Sequence, residues 1–354
     1  MADQNKQSAE QILDAKQLKH AKKGIFAGFM SGMTWGASGT VIGLAQGYAP
    51  FSTQASPEDT NLLIGLLVAS GIAGAFLHDF FATVWVAVNN IKNGKFKEYG
   101  RTLRTKPGKM VCLGAILGGP IGMSGYVLGI TFVNAAYALP ITASYPALAA
   151  VLATIIFKER NPLRVWIGVA LCILGSFLVY YAPAEGDRGL IYSAGMLLST
   201  LACIGWATEG LLSTYGMDML DPDIALGIRE GVSALAYLLF VIPAVTWYIG
   251  NHFGPTPVWD LVAQTFVNSS FTLYAMAGFF GGFSYVYWYR ALNMTGVARA
   301  MALNVTYALW GVIFGGLLAG LDITAYLAIG AASIFVGAIL VSANPRELFN
   351  LRNT

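Results

Sequence analysis

Charge is what this sequence has least of. Asp, Glu, Lys and Arg make up only 11% of its 354 residues, against 56% hydrophobic residues, whereas a soluble domain carries roughly a quarter charged residues. So few ionisable groups cannot cover a chain of this length with a water-facing surface, and the apolar excess requires lipid as its solvent. The net charge of +3 is small and the basic residues sit in loops rather than on one face, which excludes nucleic acid as a partner. Cysteine is equally scarce. Cys112, Cys172 and Cys203 lie inside apolar runs at spacings that fit neither a metal site nor a disulfide framework, so they read as small packing residues. The chain has no Walker motif, and neither a cofactor nor a metal is expected. The polar stretch from Met1 to Lys23 leads into an apolar segment with no small-residue cleavage site followed by a soluble domain. The expectation is a first helix that stays in the membrane, with no signal peptide removed.

Long apolar runs are what the chain has in abundance. Crossing a hydrocarbon core of about 30 Å takes roughly 20 helical residues. Runs of that kind can be drawn at 24–46, 61–88, 110–131, 134–157 and 162–182, and again at 189–213, 224–249, 267–291, 297–319 and 322–343. The fold class is therefore an all-α membrane protein with ten transmembrane helices. The connection 89–109 holds seven Lys/Arg, and Lys158, Arg160 and Arg164 flank the connection after the fourth run. Both are expected in the cytoplasm by the positive-inside rule. The 47–60 loop has no Lys or Arg, and the loop after the fifth run has Arg188 beside Glu185 and Asp187, so both face outward. This leaves a cytoplasmic tail at 1–23, another at 344–354, and both termini inside.

The two sets of runs echo one another. An offset of 162 pairs Tyr145 with Tyr307, Gly168 with Gly330, Gly175 with Gly337 and Pro183 with Pro345. An offset of 171 pairs Trp35 with Trp206 and Gly24 with Gly195, in the segments SGMTWGASG and ACIGWATEG. With five spans each, the halves 24–182 and 189–343 enter the membrane in opposite senses. Inverted repeats of this kind mark secondary transporters, with substrate near the midplane where the halves meet. Many of the 41 glycines stand at small-xxx-small spacing, which reads as close helix packing.

Ionisable groups far from both ends of an apolar run are expensive and mark a pathway or a site. There are few: His78 and Asp79 in FLHDFF, Glu209 in WATEG, and Arg229 and Glu230 in IREGV, with an offset of 151 superimposing the two adjacent pairs. Two readings stand for Arg229 and Glu230, a network joining the halves or part of a transport pathway. His78 is open between a core histidine donating to Asp79 and a proton relay. Glu209, the only acid in its run, reads as functional.

Aromatic residues form a second set. Tyr285 and Tyr289 stand one helical turn apart with Trp288 on an adjoining face. Tyr145, Tyr307 and Trp310 come from the repeated fourth and ninth runs, and Trp35 and Trp206 from the first and sixth. Interfacial anchoring accounts for Tyr180, Tyr181 and Trp247 but not for rings at mid-span. An aromatic cage with one carboxylate suits a quaternary ammonium, which has no N–H to donate and is held by ring faces worth up to about 2 kcal/mol each when desolvated.

The five-plus-five pattern and segments such as SYPALAAVLATIIFKERNPLRVWIGVALCILG resemble the drug/metabolite transporter (EamA-like) superfamily over nearly the whole chain. Within it, FLHDFF, GAILGGPIGM, IGWATEGLLSTYGMD, GIREGVSALAYL and ARAMALNVTYALWGVIF are similar, in order, to LicB-type bacterial choline permeases. The sequence departs from them in a longer N-terminal extension, a longer 47–60 loop and the aromatic-rich YVYWYR stretch. The resemblance implies a proton-coupled choline importer, a symporter of the bacterial cytoplasmic (inner) membrane. It also implies roles for His78, Asp79, Tyr145, Trp206, Glu209, Tyr285, Tyr289, Asn304, Tyr307 and Trp310. The expected mechanism boxes the trimethylammonium among Trp35, Tyr145, Tyr285 and Tyr307 with Glu209 as countercharge, and then rocks the halves. His78, Asp79, Glu209, Arg229 and Glu230 are expected to form the proton-coupling or polar network. Substrate, protons and membrane lipids are the expected partners. The main rival is an exporter of amino acids or drugs on the same fold. A membrane-embedded enzyme is disfavoured, because no nucleophile or metal-ligand motif accompanies His78 and Asp79.

Overall fold

The computed structural model describes residues 2–52, 59–158, 161–182, 189–217, 219–254, 258–295 and 297–342. The C-terminal tail expected at 344–354, together with Arg160, Pro183, Glu185, Asp187, Arg188 and Pro345, lies outside the described residues. Ten helical units carry the fold within them. They are α1 (Ala2–Gln46), α2 (Thr60–Lys92), α3 (Lys106–Val133), α4 (Ala135–Thr142 continuing as Tyr145–Phe157) and α5 (Leu163–Tyr180). The second five are α6 (Leu190–Met217), α7 (Pro222–His252), α8 (Ser270–Thr295), α9 (Val297–Asn304 continuing as Tyr307–Ala319) and α10 (Ala325–Ser342). Residues 2–23, read from sequence as a tail, continue α1 without a break.

Eight of these helices, α2 to α7, α9 and α10, are long and apolar enough to cross a membrane. The remaining pair, α1 and α8, falls short in apolarity for a physical reason. The two pack along one another, and their polar groups are spent inside the bundle: Ser284 Oγ donates to Ser31 O at 2.8 Å and Ser38 Oγ to Ala277 O at 2.9 Å. A helix facing its neighbours on most sides needs little lipid-compatible surface.

Some of the principal helix contacts recur when the halves are exchanged. α1 lies on α8 as α6 lies on α3, and α2 packs on α7. At the α5–α10 contact, a Cβ on Gly168 would stand 2.6 Å from Gly337 O, and one on Gly175 2.7 Å from Gly330 O. The 162-residue offset converts the first of these contacts into the second. Backbones this close gain dispersion contacts, which drive helix association where lipid removes the hydrophobic incentive.

The sequence read the fourth and ninth runs as single spans, but both are interrupted one step before their matched tyrosines. At Ala143 and Ser144 the chain tightens, with Ser144 N donating to Ile141 O at 3.0 Å, ahead of Pro146, which has no N–H to continue the ladder. At Val305 and Thr306 the Thr306 hydroxyl bonds Leu303 O at 2.7 Å, competing with the backbone. Both breaks aim a tyrosine inward. Two helices also widen into a π turn, Leu117–Met123 in α3, around Pro120, and Tyr237–Val241 in α7. Tyr237 Oη joins them, donating to Gly119 O at 3.2 Å and accepting from Ser124 Oγ at 2.8 Å.

Candidate functional site

Five helices enclose a cavity of about 80 Å³, room for several waters at about 10–15 Å³ each or for one small organic molecule. α1 contributes Trp35 and α4 contributes Tyr145. α6 supplies Trp206, Glu209 and Gly210, and α8 supplies Ser284, Tyr285, Trp288 and Tyr289. α9 closes the wall with Met301, Asn304 and Tyr307. These positions fall in the second half of α6 and α8 and the first half of α9, so the cavity lies toward one end of the bundle.

Trp35 is the hub of the aromatic wall. It stacks on Tyr126 at 5.5 Å between centroids and meets Tyr285, Trp206 and His78 edge-on at 5.3, 5.7 and 6.0 Å. Tyr145 stands edge-on to Trp206 at 6.2 Å. Rings that brace one another hold their faces in fixed directions, and a pre-set wall loses little entropy when it takes a ligand. Asn304 Nδ2 donates to Ser31 Oγ at 2.7 Å, tying the polar corner of the cavity to α1.

Behind the wall lies buried charge. Arg229, only 3% exposed, donates from Nε to Glu209 Oε1 at 3.1 Å and from Nη1 to Glu230 Oε1 at 2.9 Å. Its Nη2 reaches Tyr285 Oη at 3.1 Å. On α2, His78 Nδ1 meets Asp79 Oδ1 at 2.9 Å, and Ser233 Oγ of α7 donates to Asp79 Oδ2. His78 Nε2 and Glu230 Oε2 are buried with no hydrogen-bond partner among the described residues. Three carboxylates, one guanidinium and one imidazole thus gather behind the wall. The π turn of α3 lets backbone approach it: a Cβ on Gly118 would overlap the Glu209 carboxylate, and one on Gly119 the Ser233 hydroxyl.

Of the residues singled out by sequence, Trp35, Tyr145, Trp206, Glu209, Tyr285, Tyr289, Asn304 and Tyr307 line the cavity. His78 and Asp79, bound to each other, and Arg229 and Glu230, likewise paired, stand behind it as two neighbouring sets. Trp310 is not brought in. It meets Phe29 edge-on at 5.6 Å and stacks on Phe314 at 5.4 Å, with its Cβ against Gly36 of α1. Glu209 is not a free countercharge either, since Arg229 engages both its oxygens. Sequence reasoning missed Tyr126, Ser284 and Met301. The lone tyrosine in the glycine-rich α3 was the available signal for the first, and none marked the other two.

The EamA-like transporter family model matches residues 22–181 and again residues 193–343, one match for each half. Protein LicB of Haemophilus influenzae is 31% identical over 208 residues, which is 58% of this chain, and the match spans 65% of that protein's length. A solved protein structure with 15% sequence identity superposes with a TM-score of 0.51 over 93% of this chain and 99% of its own. That likeness concerns the fold alone.

Proposed function

The chain belongs to the EamA-like transporter family, a multi-pass membrane transporter and not an enzyme, and on that premise we propose that it imports choline or a related quaternary amine. The observation that carries this reading is an aromatic cavity whose one lining carboxylate among the described residues is Glu209. A methylated ammonium gives up its water for the faces of Trp35, Tyr145, Trp206 and Tyr285, each contributing about 0.5–2 kcal/mol. A cargo without positive charge gains no cation–π attraction from those faces. The similarity to bacterial choline permeases supports the same assignment.

In this reading all ten helices span the cytoplasmic membrane as two inverted five-helix repeats, with α1 and α8 as the inward-facing pair. The recurring helix contacts support it. The basic loop 89–109 and both termini lie in the cytoplasm, so the cavity sits toward the cytoplasmic end. Import proceeds by rocking of the halves about the breaks and π turns that surround the site. A negative-inside potential draws a monovalent cation inward by about 2.3 kcal/mol per 100 mV. Proton symport adds to this through Glu209 or the His78–Asp79 pair.

The test is uptake of radiolabelled choline into proteoliposomes under imposed potential and pH gradients, with unlabelled amines as competitors. Accumulation that increases with an inward proton gradient is the expected result. Outward flux of amino acids with no choline movement would establish the exporter reading instead.

A further inference from the structure

The cavity already has a cation of its own. Arg229 lies outside the lining but engages two groups that form it: Nε and Nη2 meet Glu209 at 3.1 and 3.5 Å, and Nη2 meets Tyr285 Oη at 3.1 Å. Its Cζ stands 4.8 Å from the Tyr285 ring centroid. These are the acid and one of the rings that a cationic cargo would use. On the far side, Nη1 donates to Glu230 Oε1 at 2.9 Å, while Glu230 Oε2 is buried and unpaired among the described residues. One planar guanidinium is thus divided between a carboxylate that faces the cavity and a fully buried one with an acceptor to spare.

We propose that Arg229 is a tethered stand-in for the cargo, holding Glu209 and Tyr285 when the cavity is empty and ceding them, by moving onto Glu230, when a substrate cation arrives. The inference rests on the cargo being a cation. Its physical basis is that a buried carboxylate stripped of its partner is strongly destabilised. An empty carrier with Glu209 bare would be held back from reorienting. With Arg229 in place, empty and loaded carriers present the same local pairing, and both can cross. The guanidinium suits this role because its fork can keep one carboxylate while releasing another, and the incoming cation supplies the repulsion that drives the shift. The neighbouring charged groups, Asp79 and His78 on α2, are bound to each other, and Asp79 also accepts from Ser233, so Glu230, which Arg229 already meets, is the acceptor at hand.

Two fluxes separate this from a structural role. Exchange of labelled for unlabelled choline needs only the loaded carrier, whereas net efflux into choline-free buffer needs the empty carrier to return. In proteoliposomes, the double variant Arg229→Gln/Glu230→Gln keeps the net charge of the cluster. Its net efflux is expected to fall about a hundredfold, as an interaction on the scale of a buried ion pair allows, while exchange stays within about tenfold of the parent. Equal losses in both fluxes, or no loss in either, would overturn the proposal. Should the double variant fail to fold, Arg229→Lys serves. A point charge cannot bridge two carboxylates as a fork does, so net efflux should fall more than exchange, and equal falls again overturn it. A parent protein that exchanges no choline would remove the cargo reading and this inference together, whereas an active parent with equal losses removes this inference alone.

Discussion

Lys95 with Asp221 and Asp223, and Arg229 with Glu209 and Glu230, are both a cation held between two carboxylates; the first set joins the two halves of the chain, and the second ties α6 to α7 within the second half. Lys95 Nζ meets Asp221 at 2.9 Å and Asp223 at 2.6 Å, but the lysine is 30% exposed and Asp221 39%. Arg229 is 3% exposed and Glu230 wholly buried. The comparison teaches that the pairing itself does not set the consequence; the surroundings do. At the rim, water and salt screen each charge, and the pair contributes at most about 1 kcal/mol. Inside, little solvent reaches Arg229 and Glu230 to replace a missing partner, so each group depends far more on the others.

Removing the inner cation should separate the two regions most sharply. Arg229→Ala leaves Glu209 and Glu230 without a partner and is expected to destabilise the protein by about 3–5 kcal/mol. A large drop in the thermal midpoint of the detergent-solubilised protein checks it. An unchanged midpoint would show that the cluster is wetter than its burial indicates. Next comes Glu209→Gln, which keeps the shape of the wall but deletes its charge. Choline uptake should fall by about tenfold or more, the scale of one charge-assisted contact, and normal uptake by this variant would refute the countercharge role.

Trp35→Leu sharpens the comparison from the aromatic side. Loss of one ring face should weaken choline binding by about three- to thirtyfold, corresponding to about 0.5–2 kcal/mol, as read by competition with labelled ligand. Lys95→Ala should do least, shifting the thermal midpoint only slightly and leaving uptake near normal, with the difference vanishing at high salt. The lysine also resists pH. Burial would lower its pKa, but the bonds from Asp223 and Asp221 outweigh that and raise it. Its contribution is therefore fully present below the ordinary lysine range and is lost only as pH rises through the raised value, so stability changes between pH 6 and 8 should be the same with and without Lys95.

Much of this contrast was legible in the sequence. Composition and run length located the helices, and the isolated acids and mid-span rings marked the lining. What escaped depends on neighbours. Arg229 was read beside Glu230, the residue next to it, but its partner at the cavity is Glu209 on α6, brought in by a turn the sequence does not orient. Trp310 looked equivalent to Tyr307, three residues away. The packing of α9 on α1 turns it toward Phe29 instead, where Gly36 makes room. The break in α4 had a signal in Pro146, whereas the one in α9 was invisible because Val305 and Thr306 are compatible with an uninterrupted helix. The weak apolarity of α1 and α8 is a signal of the central, site-forming pair, recognisable once their packing is known.

The central claim is that this cavity recognises positive charge wrapped in methyl groups. Calorimetric titration with choline and with 3,3-dimethylbutan-1-ol, its neutral carbon isostere, isolates that charge at constant shape. Choline should bind at least about tenfold more tightly, as loss of one cation–π and ion-pair set requires. Equal affinity for the two, or no binding of choline at any pH, would contradict the account.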